Sequence, residues 1–481
     1  MLARLLLIGA IVIGIGAPAT NARLAQAGDF TKLDTTVTMS DGVQIAVTYY
    51  EPSGTPPAGG WPAVMMFHGL GQTRNSLDLR TWSANRVAET YLAPAGYAVL
   101  TFDARAHGQS GGLFSLDGPR ELQDTRELFA WLTAHPRVNR DKVGALGVSY
   151  GGGMVWLATV AGVPFKAVVT AATWTDLRAA LMPQSLLRTG VVLGFLQDIP
   201  PSKYTPEVQS VLQDAAIGRT AAVGAFLASR STRQQLGHIS VPALLIQGRR
   251  DFAFDADQAI DTYKALRGPK RLYLGDLGHA PAADPPGEVQ HFAAEARSWF
   301  DQYLKGRHEL AEPRIELAAD PWRGKTVTYA HLPPTRALRF TSAKAGVLVS
   351  QGKLVRTLGT VGHLETFGDA VLRLTVSSRT GFDHIAAVLA AARRDGSEIV
   401  VSDGGIALPT LGRRARTLAI RFPDDITSIP RGARLRVYLG ATSTVQSPAN
   451  AVYLSPVKDG EAVSVRRLSL TLHVLRKPVS P

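Results

Sequence analysis

The pentapeptide Gly147-Val148-Ser149-Tyr150-Gly151 constrains this chain more than any other feature. It ends an apolar run, residues 142–148, and opens a helical pattern, residues 150–161. A Gly-x-Ser-x-Gly motif in that setting predicts a sharp strand-to-helix turn. The serine is then held in a strained conformation with its hydroxyl exposed. The flanking glycines let strand and helix approach closely. The bland alternative is a glycine-rich turn without chemistry.

The rest of the pattern fits such a turn. Residues 63–67, 97–102, 166–170, 241–247 and 270–274 are short apolar runs of the kind buried on both faces of a parallel sheet. Helical periodicity occupies 81–92, 118–134, 256–266 and 289–304 between them. This alternation predicts an α/β fold with a parallel sheet covered on both faces; with the Gly-x-Ser-x-Gly turn at a strand end, the expected fold is an α/β-hydrolase sheet. Residues 35–52 read as a hairpin turning at Asp41-Gly42. From Thr173 to His238 no strand-like run occurs. That interval is expected to form a helical cap, about 174–238, over the C-terminal ends of the strands; helices packed at the side of the sheet are the alternative. Beyond Gly306 short β-rich segments take over, at 327–332, 337–340, 370–376, 385–391, 416–422, 434–439 and 463–474. Turn signals such as Asp395-Gly396 and Ser402-Asp403-Gly404-Gly405 separate them, an all-β sandwich pattern. A chain of 481 residues exceeds one ordinary core. The expected division is a signal peptide at 1–27, an α/β domain at 28–310 and a jelly-roll-like β-sandwich at 311–481.

Arg4, the apolar run 5–17 and Ala25-Gln26-Ala27 form the n-region, h-region and small-residue cleavage site of a secretory signal. The expected location is periplasmic or extracellular, with an uncleaved anchor as the alternative and no other membrane attachment. The absence of cysteine excludes disulfides and thiolate metal sites. The net charge of +13 is scattered, without a basic helix or an aromatic-interleaved basic stripe. No nucleic-acid partner is therefore expected. The charge reads as solvated surface, with affinity for an acidic cell envelope as the sharper alternative. No metal-protease, phosphate-loop or dinucleotide motif occurs, so no cofactor or metal is expected.

A serine nucleophile needs a base, and the base an orienting acid, in the chain order Ser, Asp, His for this fold. Asp251 follows one predicted strand and His279 the next, both at the edge of the sheet that carries Ser149. Asp255, read as a helix cap, and Asp276, read as solvated, are the competing acids. The backbone amides of Leu70, in His68-Gly69-Leu70-Gly71, and of Tyr150 are the expected oxyanion donors. His68 is read as structural. Asp103, Arg105 and Ser110, close together in sequence, are read as loop supports. Trp174, Leu181, Met182, Leu186 and Phe195 in the cap either shape a substrate pocket or simply pack.

From about Thr31 onward the chain resembles the X-prolyl dipeptidyl-peptidase and cocaine-esterase-like serine hydrolases. The resemblance rests on Asp41-Gly42-Val43, Gly96-Tyr97-Ala98-Val99 through Asp103-Ala104-Arg105, the serine pentapeptide, Asp251, His279, and Pro430-Arg431-Gly432-Ala433-Arg434-Leu435. It implies a hydrolase core, a helical cap and a C-terminal jelly roll, with ester or amide hydrolysis through an acyl-enzyme. The loop at Leu70 carries no tyrosine, where cocaine-esterase-like members often supply an oxyanion-hole tyrosine. The leading expectation is a carboxylesterase. The alternatives are an X-prolyl or other peptidase, and a non-catalytic protein that binds the envelope or a polymer on a hydrolase scaffold.

Overall fold

The computed structural model describes residues 28–76, 84–307, 314–408 and 411–481. The expected signal peptide, residues 1–27, lies outside them.

Among the described residues ten strands form one sheet: β1 (Phe30–Thr38), β2 (Gln44–Pro52), β3 (Trp61–Phe67), β4 (Ala98–Phe102), β5 (Val138–Val148), β6 (Ala167–Ala171), β7 (Ala243–Gly248), β8 (Lys270–Gly275), β9 (Arg314–Ala318) and β10 (Thr326–Tyr329). Their order is β1-β2-β4-β3-β5-β6-β7-β8-β9-β10. The seven strands from β4 to β9 run parallel, with antiparallel pairs only at the edges. Successive side chains of a strand point to opposite faces, and both faces here are covered. Met65, Phe67 and Ala145 pack with Leu128, Trp156 and Ile260 from helices α2 (Pro119–Thr133), α3 (Tyr150–Val160) and α8 (Ala256–Ala265). Val64, Met66 and Leu146 pack on the other face with Phe292, Trp299 and Phe300 of α9 (Pro286–Lys305). The apolar runs are continuous rather than alternating because neither face meets water.

Between β6 and β7 the cap contributes α4 (Leu177–Leu181), α5 (Thr189–Leu196), α6 (Pro206–Ala216) and α7 (Thr220–Ala228). Thr205 caps α6 by accepting from the Val208 amide at 3.3 Å, with Pro206 at the first helical position.

The sandwich follows. One sheet joins β11 (Thr335–Ser342), β12 (Gly346–Val349), β15 (Ala370–Ser378), β18 (Arg416–Phe422) and β21 (Ala462–Leu475). The other has the order β13-β20-β16-β17, from β13 (Leu354–Thr360), β20 (Arg434–Gly440), β16 (His384–Ala392) and β17 (Glu398–Ala407). A short pair, β14 (Leu364–Glu365) with β19 (Ser428–Ile429), lies beside them. Leu372, Leu374, Leu470 and Leu472 of the first sheet meet Ile385, Leu389, Val437 and Leu439 of the second in one core.

Two readings of the sequence change. The sandwich begins at Thr335 rather than 311, because β9 pairs parallel with β8, and β10, expected in the sandwich, pairs with β9. Glu316 disguises β9 as a non-strand. Its carboxylate is buried against Arg271 at 2.7 Å, which satisfies a charge in the sheet. Ser402-Asp403-Gly404-Gly405, read as a turn, lies inside β17, paired with Leu389 to Ala386. Gly405 serves close approach: a Cβ there would come within 2.6 Å of Leu186 in the cap.

The sandwich meets the cap at Gln184, Thr189 and Gly190 and is fastened most deeply at the loop after β7. Arg249, 1% exposed, leaves the end of β7. Its guanidinium donates to the Glu365 carboxylate, the Ala318 carbonyl, the Ser480 hydroxyl and the Ile426 carbonyl. Its own carbonyl accepts from the Ile426 amide at 2.7 Å, and the Ala256 amide donates to Asp424 at 3.0 Å. The segment from Arg249 to Ala256 is thus held at both ends by residues 424–426 of the sandwich. Removing one partner of a buried pair strands the other charge, at about 3–5 kcal/mol. Glu365→Ala is therefore expected to lower stability by about that amount, read as a shift in the urea unfolding midpoint at unchanged slope.

Candidate active site

Ser149 sits between β5 and α3 with φ 53° and ψ −118°, a conformation costly for a non-glycine residue. The surroundings enforce it. Its amide donates to Ala171 at 2.9 Å, and its carbonyl accepts from Gly152, Gly153 and the Thr173 hydroxyl. A Cβ at Gly147 would strike the Gly151 carbonyl, and one at Gly151 the Phe67 carbonyl. Both glycines of the motif are thus required by close approach.

His279 follows β8, and its Nε2 stands 3.0 Å from Ser149 Oγ. Its Nδ1 lies 3.0 and 2.9 Å from the two carboxylate oxygens of Asp251. Asp251 is fully buried and accepts from the amides of Ala253, Phe254 and His279 at 2.9, 3.0 and 3.2 Å. Phe195, Phe252 and Phe254 meet the imidazole edge-on, with centroids 5.7, 6.2 and 5.3 Å away. Asp251, not its rivals, is therefore joined to His279. Asp255 holds the N-cap position of α8 but makes no cap bond; its carboxylate pairs with Arg188 at 2.7 Å. Asp276 is not simply solvated: it accepts from the Ala283 amide, and burial raises its pKa.

Leu70 and Tyr150 line the same cleft as Ser149. Among the described residues neither backbone amide donates to an acceptor. Tyr150 opens α3, where the amides and the positive end of the helix dipole face outward. Its ring stacks on His107 at 5.5 Å, and its hydroxyl bonds the buried Glu121. His68 is structural: Nε2 accepts from the Ala104 amide at 2.9 Å, so Nδ1 donates to Gly69 at 2.7 Å. Burial lowers its pKa to about 4, so the ring stays neutral and fixes the Leu70 loop. Asp103 binds Arg74 and the Gln109 amide, Ser110 donates to the Asp103 carbonyl, and Arg105 pairs with Asp124. These are the loop supports the sequence suggested.

A cleft of about 860 Å³ opens from Ser149 into the cap. Trp174, Leu181 and Phe195 line it, as the sequence allowed. Met182 and Leu186 do not. Both are buried in the cap core, and the turn at Pro183–Ser185 carries Leu186 toward the sandwich at Gly405. The larger part of the lining was missed, including Phe114, Tyr204 and Phe254. One signal was available: Val208, Val211, Leu212 and Ala215 repeat at three- and four-residue spacing along α6 and line the cleft together. Among the described residues no cluster of three or more His, Asp or Glu side chains is arranged to hold a metal ion. The arrangement supplies a hydroxyl, an imidazole to receive its proton and a buried carboxylate to face the resulting charge.

The model of the X-Pro dipeptidyl-peptidase (S15) family matches residues 41–281, a span that contains Leu70, Ser149, Asp251 and His279. The chain belongs to that family. This S15-family chain is 24% identical to cocaine esterase of Rhodococcus sp. (strain MB1 Bresler) over 351 residues, 60% of the chain and 58% of that esterase. The match thus spans less than two thirds of the curated relative. Over 95% of its length the fold matches a CocE/NonD family hydrolase from Staphylococcus aureus, with TM-score 0.71 and 15% identity, covering 99% of that structure. An aminopeptidase from the archaeon Thaumarchaeota archaeon matches over 95% of the chain and 98% of its own, with TM-score 0.67 and 16% identity. The S15 chain is accordingly a member of a hydrolase family with esterases and peptidases among its relatives. Gly151→Ala is expected to displace β3 from the turn and to cost at least about 1–3 kcal/mol, read as a lowered melting temperature.

Proposed function

We propose that the protein is an exported serine carboxylesterase whose substrates carry an apolar acyl group. The observation that carries this reading is the cleft at Ser149, walled by leucine, valine and aromatic side chains of the cap. Such a wall favours hydrocarbon and offers few partners to a peptide backbone, whose polar groups are costly to bury unpaired. His279 Nε2 takes the Ser149 proton as Oγ attacks the ester carbonyl. Asp251 faces the imidazolium that results. The amides of Leu70 and Tyr150 receive the oxyanion. Collapse of the tetrahedral intermediate returns the proton to the departing alcohol. Water, activated by the same imidazole, then releases the acid from the acyl-enzyme.

A second reading, hydrolysis of peptides or amino-acid esters with a free amine, has one observation in its favour. Asp198 lies between the cleft residues Leu196 and Ile199, close enough for its charge to interact with His279. A carboxylate there would neutralise a substrate ammonium. Asp198→Asn separates the two readings: the KM of neutral esters is expected to stay unchanged, whereas the KM of a prolyl p-nitroanilide is expected to rise on the peptidase reading.

The test is a series of p-nitrophenyl esters of rising acyl length. Each methylene buried in the cleft is worth about 0.8 kcal/mol, so kcat/KM should rise roughly fourfold per carbon until the cleft is filled. A flat series, or turnover of the prolyl anilide alone, would sink the acyl-pocket reading. Ser149→Ala should abolish turnover and labelling by a fluorophosphonate. Asp251→Asn is expected to lower kcat by about 10⁴, while Asp255→Asn, through its tie to Arg188, should lower stability more than kcat.

A further inference from the structure

The net positive charge of the chain lies in its C-terminal third. Residues 335–481 hold 21 Lys and Arg against 10 Asp and Glu; residues 28–334 hold 29 against 29. The α/β domain is therefore neutral, and the sandwich, at +11, carries most of the +13. Charge so divided is a property of a surface rather than of a fold.

Strand register shows where part of it lies. In the sheet of β11, β12, β15, β18 and β21, residues directly opposite one another point to the same face. Leu372, Leu374, Leu470 and Leu472 point inward, into the sandwich core. On the outer face Arg339 of β11 stands opposite Thr471, which stands opposite Val371, which stands opposite Arg421 of β18. Two residues along, Arg373 stands between Ser469 and Ala419. Two further, Arg467 stands opposite Thr375. All four arginines are exposed. Among the described residues Arg339, Arg373 and Arg467 form no ion pair, and Arg421 has only a 3.9 Å contact with the exposed Asp369. The outward positions between them are Thr, Ser, Ala and Val, with no carboxylate and no aromatic ring. At the same face β12 presents Val347 and Val349, 58% and 49% exposed, opposite Ser464 and Ala462.

We propose that this outer sheet face docks the protein on an anionic phospholipid bilayer. The array is planar. Strands lie about 4.8 Å apart and residues rise about 3.4 Å along them, so Arg339 and Arg421 are about 14 Å apart across three strand spacings, with Arg373 and Arg467 displaced along the strands. A plane of headgroup phosphates matches four cations spread in two dimensions. A single polyanionic strand is held instead by a groove with stacking side chains, and this face has neither. Arginine donates two parallel hydrogen bonds to a phosphate, and the two valines supply apolar side chains for the headgroup boundary. The inference does not depend on the esterase reading, though a lipid surface is a source of apolar acyl esters.

The test is flotation of residues 28–481, which contain every described element of the fold but not the apolar N-terminal run. The vesicles are equal parts phosphatidylglycerol and phosphatidylcholine, or phosphatidylcholine alone. Binding is expected only to the anionic vesicles and should weaken steeply with salt. Each arginine near such a surface contributes about fivefold. Replacing Arg339, Arg373, Arg421 and Arg467 together by Gln should therefore weaken binding several hundredfold, roughly fivefold per site. A control with the same loss of charge, Arg393, Arg394, Arg431 and Arg434 to Gln, lies at the hairpin ends of the other sheet. It should bind within about fivefold of the parent. Equal loss in both sets would overturn the proposal in favour of net charge alone. No binding by the parent would overturn it outright. Binding to a soluble sulfated polysaccharide, lost in the face variant and without any vesicle binding, would replace the bilayer by a polymer. Ser149→Ala should float as the parent does, so failure of the esterase reading and failure of this one are distinguishable. Circular dichroism melts verify that the face variant is folded.

Discussion

The guanidinium of Arg249 is the contact on which the arrangement of this molecule turns. It is wholly removed from water, and every partner that satisfies it comes from outside its own loop: Glu365, Ile426 and Ser480 from the C-terminal region, Ala318 from the end of β9. A cation in such a place is tolerable only when all of those partners are present. Seating the sandwich and ordering the loop are therefore one event. Asp251 is two residues away, and its carboxylate is set by the amides of Ala253 and Phe254 within the same loop. The far end of the loop is also fastened to the sandwich, through Ala256 and Asp424. The acid that faces His279 thus owes its position to a domain that contributes none of the three relay side chains.

The two sides of the relay have opposite character. Ser149 and His279 meet the hydrocarbon of the cap, whose low polarity strengthens the charges that develop there. On the other side of α5 and Phe252 a larger cleft, about 1290 Å³, separates cap and sandwich and is lined by Arg188, Asp255, Asp403 and Asp425. Three carboxylates share the Arg188 cation there, and burial pushes Asp403 up to about 6. Arg188 bridges the two environments: it leaves the cap, pairs with Asp255 and donates to the Phe252 carbonyl at 2.7 Å. The cap is thereby tied to the loop that carries Asp251, so cap, acid loop and sandwich meet around a single imidazole.

Much of this was legible in the sequence because the strong signals are local. The turn at Ser149 is written in two glycines whose Cβ atoms would collide with backbone, and the strands beside it are uniform apolar runs. Asp251 and His279 were findable as polar residues just past strand ends. What was hidden depends on contacts distant in the chain. Glu316 made β9 look unlike a strand because its partner, Arg271, is 45 residues earlier in sequence. Gly404 and Gly405 mimic a turn, yet they sit mid-strand, Gly404 crowded by Ile420 and Phe422 and Gly405 by Leu186 and Tyr453. Met182 and Leu186 were apolar in the right interval, but the direction of a side chain after a tight turn is not encoded in its hydrophobicity. Arg249 stands beside a second arginine in a chain whose excess charge read as solvated surface. Only the fold reveals that Arg249 is buried while Arg250 beside it stays partly exposed against Asp320.

The same contrast explains how the sandwich can be strongly basic without penalty. Its interior contact with the α/β domain is carried by few charges: Glu365 meets Arg249, and Asp403 and Asp425 face Arg188. Its excess arginines stand on exposed surface, where water and salt screen their mutual repulsion. A sheet with one face in a core and one face free can change its outer residues with little cost to folding, because register and burial are set by the inner alternation. The outer face is therefore the part of this molecule where composition is least constrained by stability. A set of four exposed arginines at that place, with one loose carboxylate contact at Asp369, is a constraint from elsewhere, and a negatively charged plane is the surface whose geometry it matches.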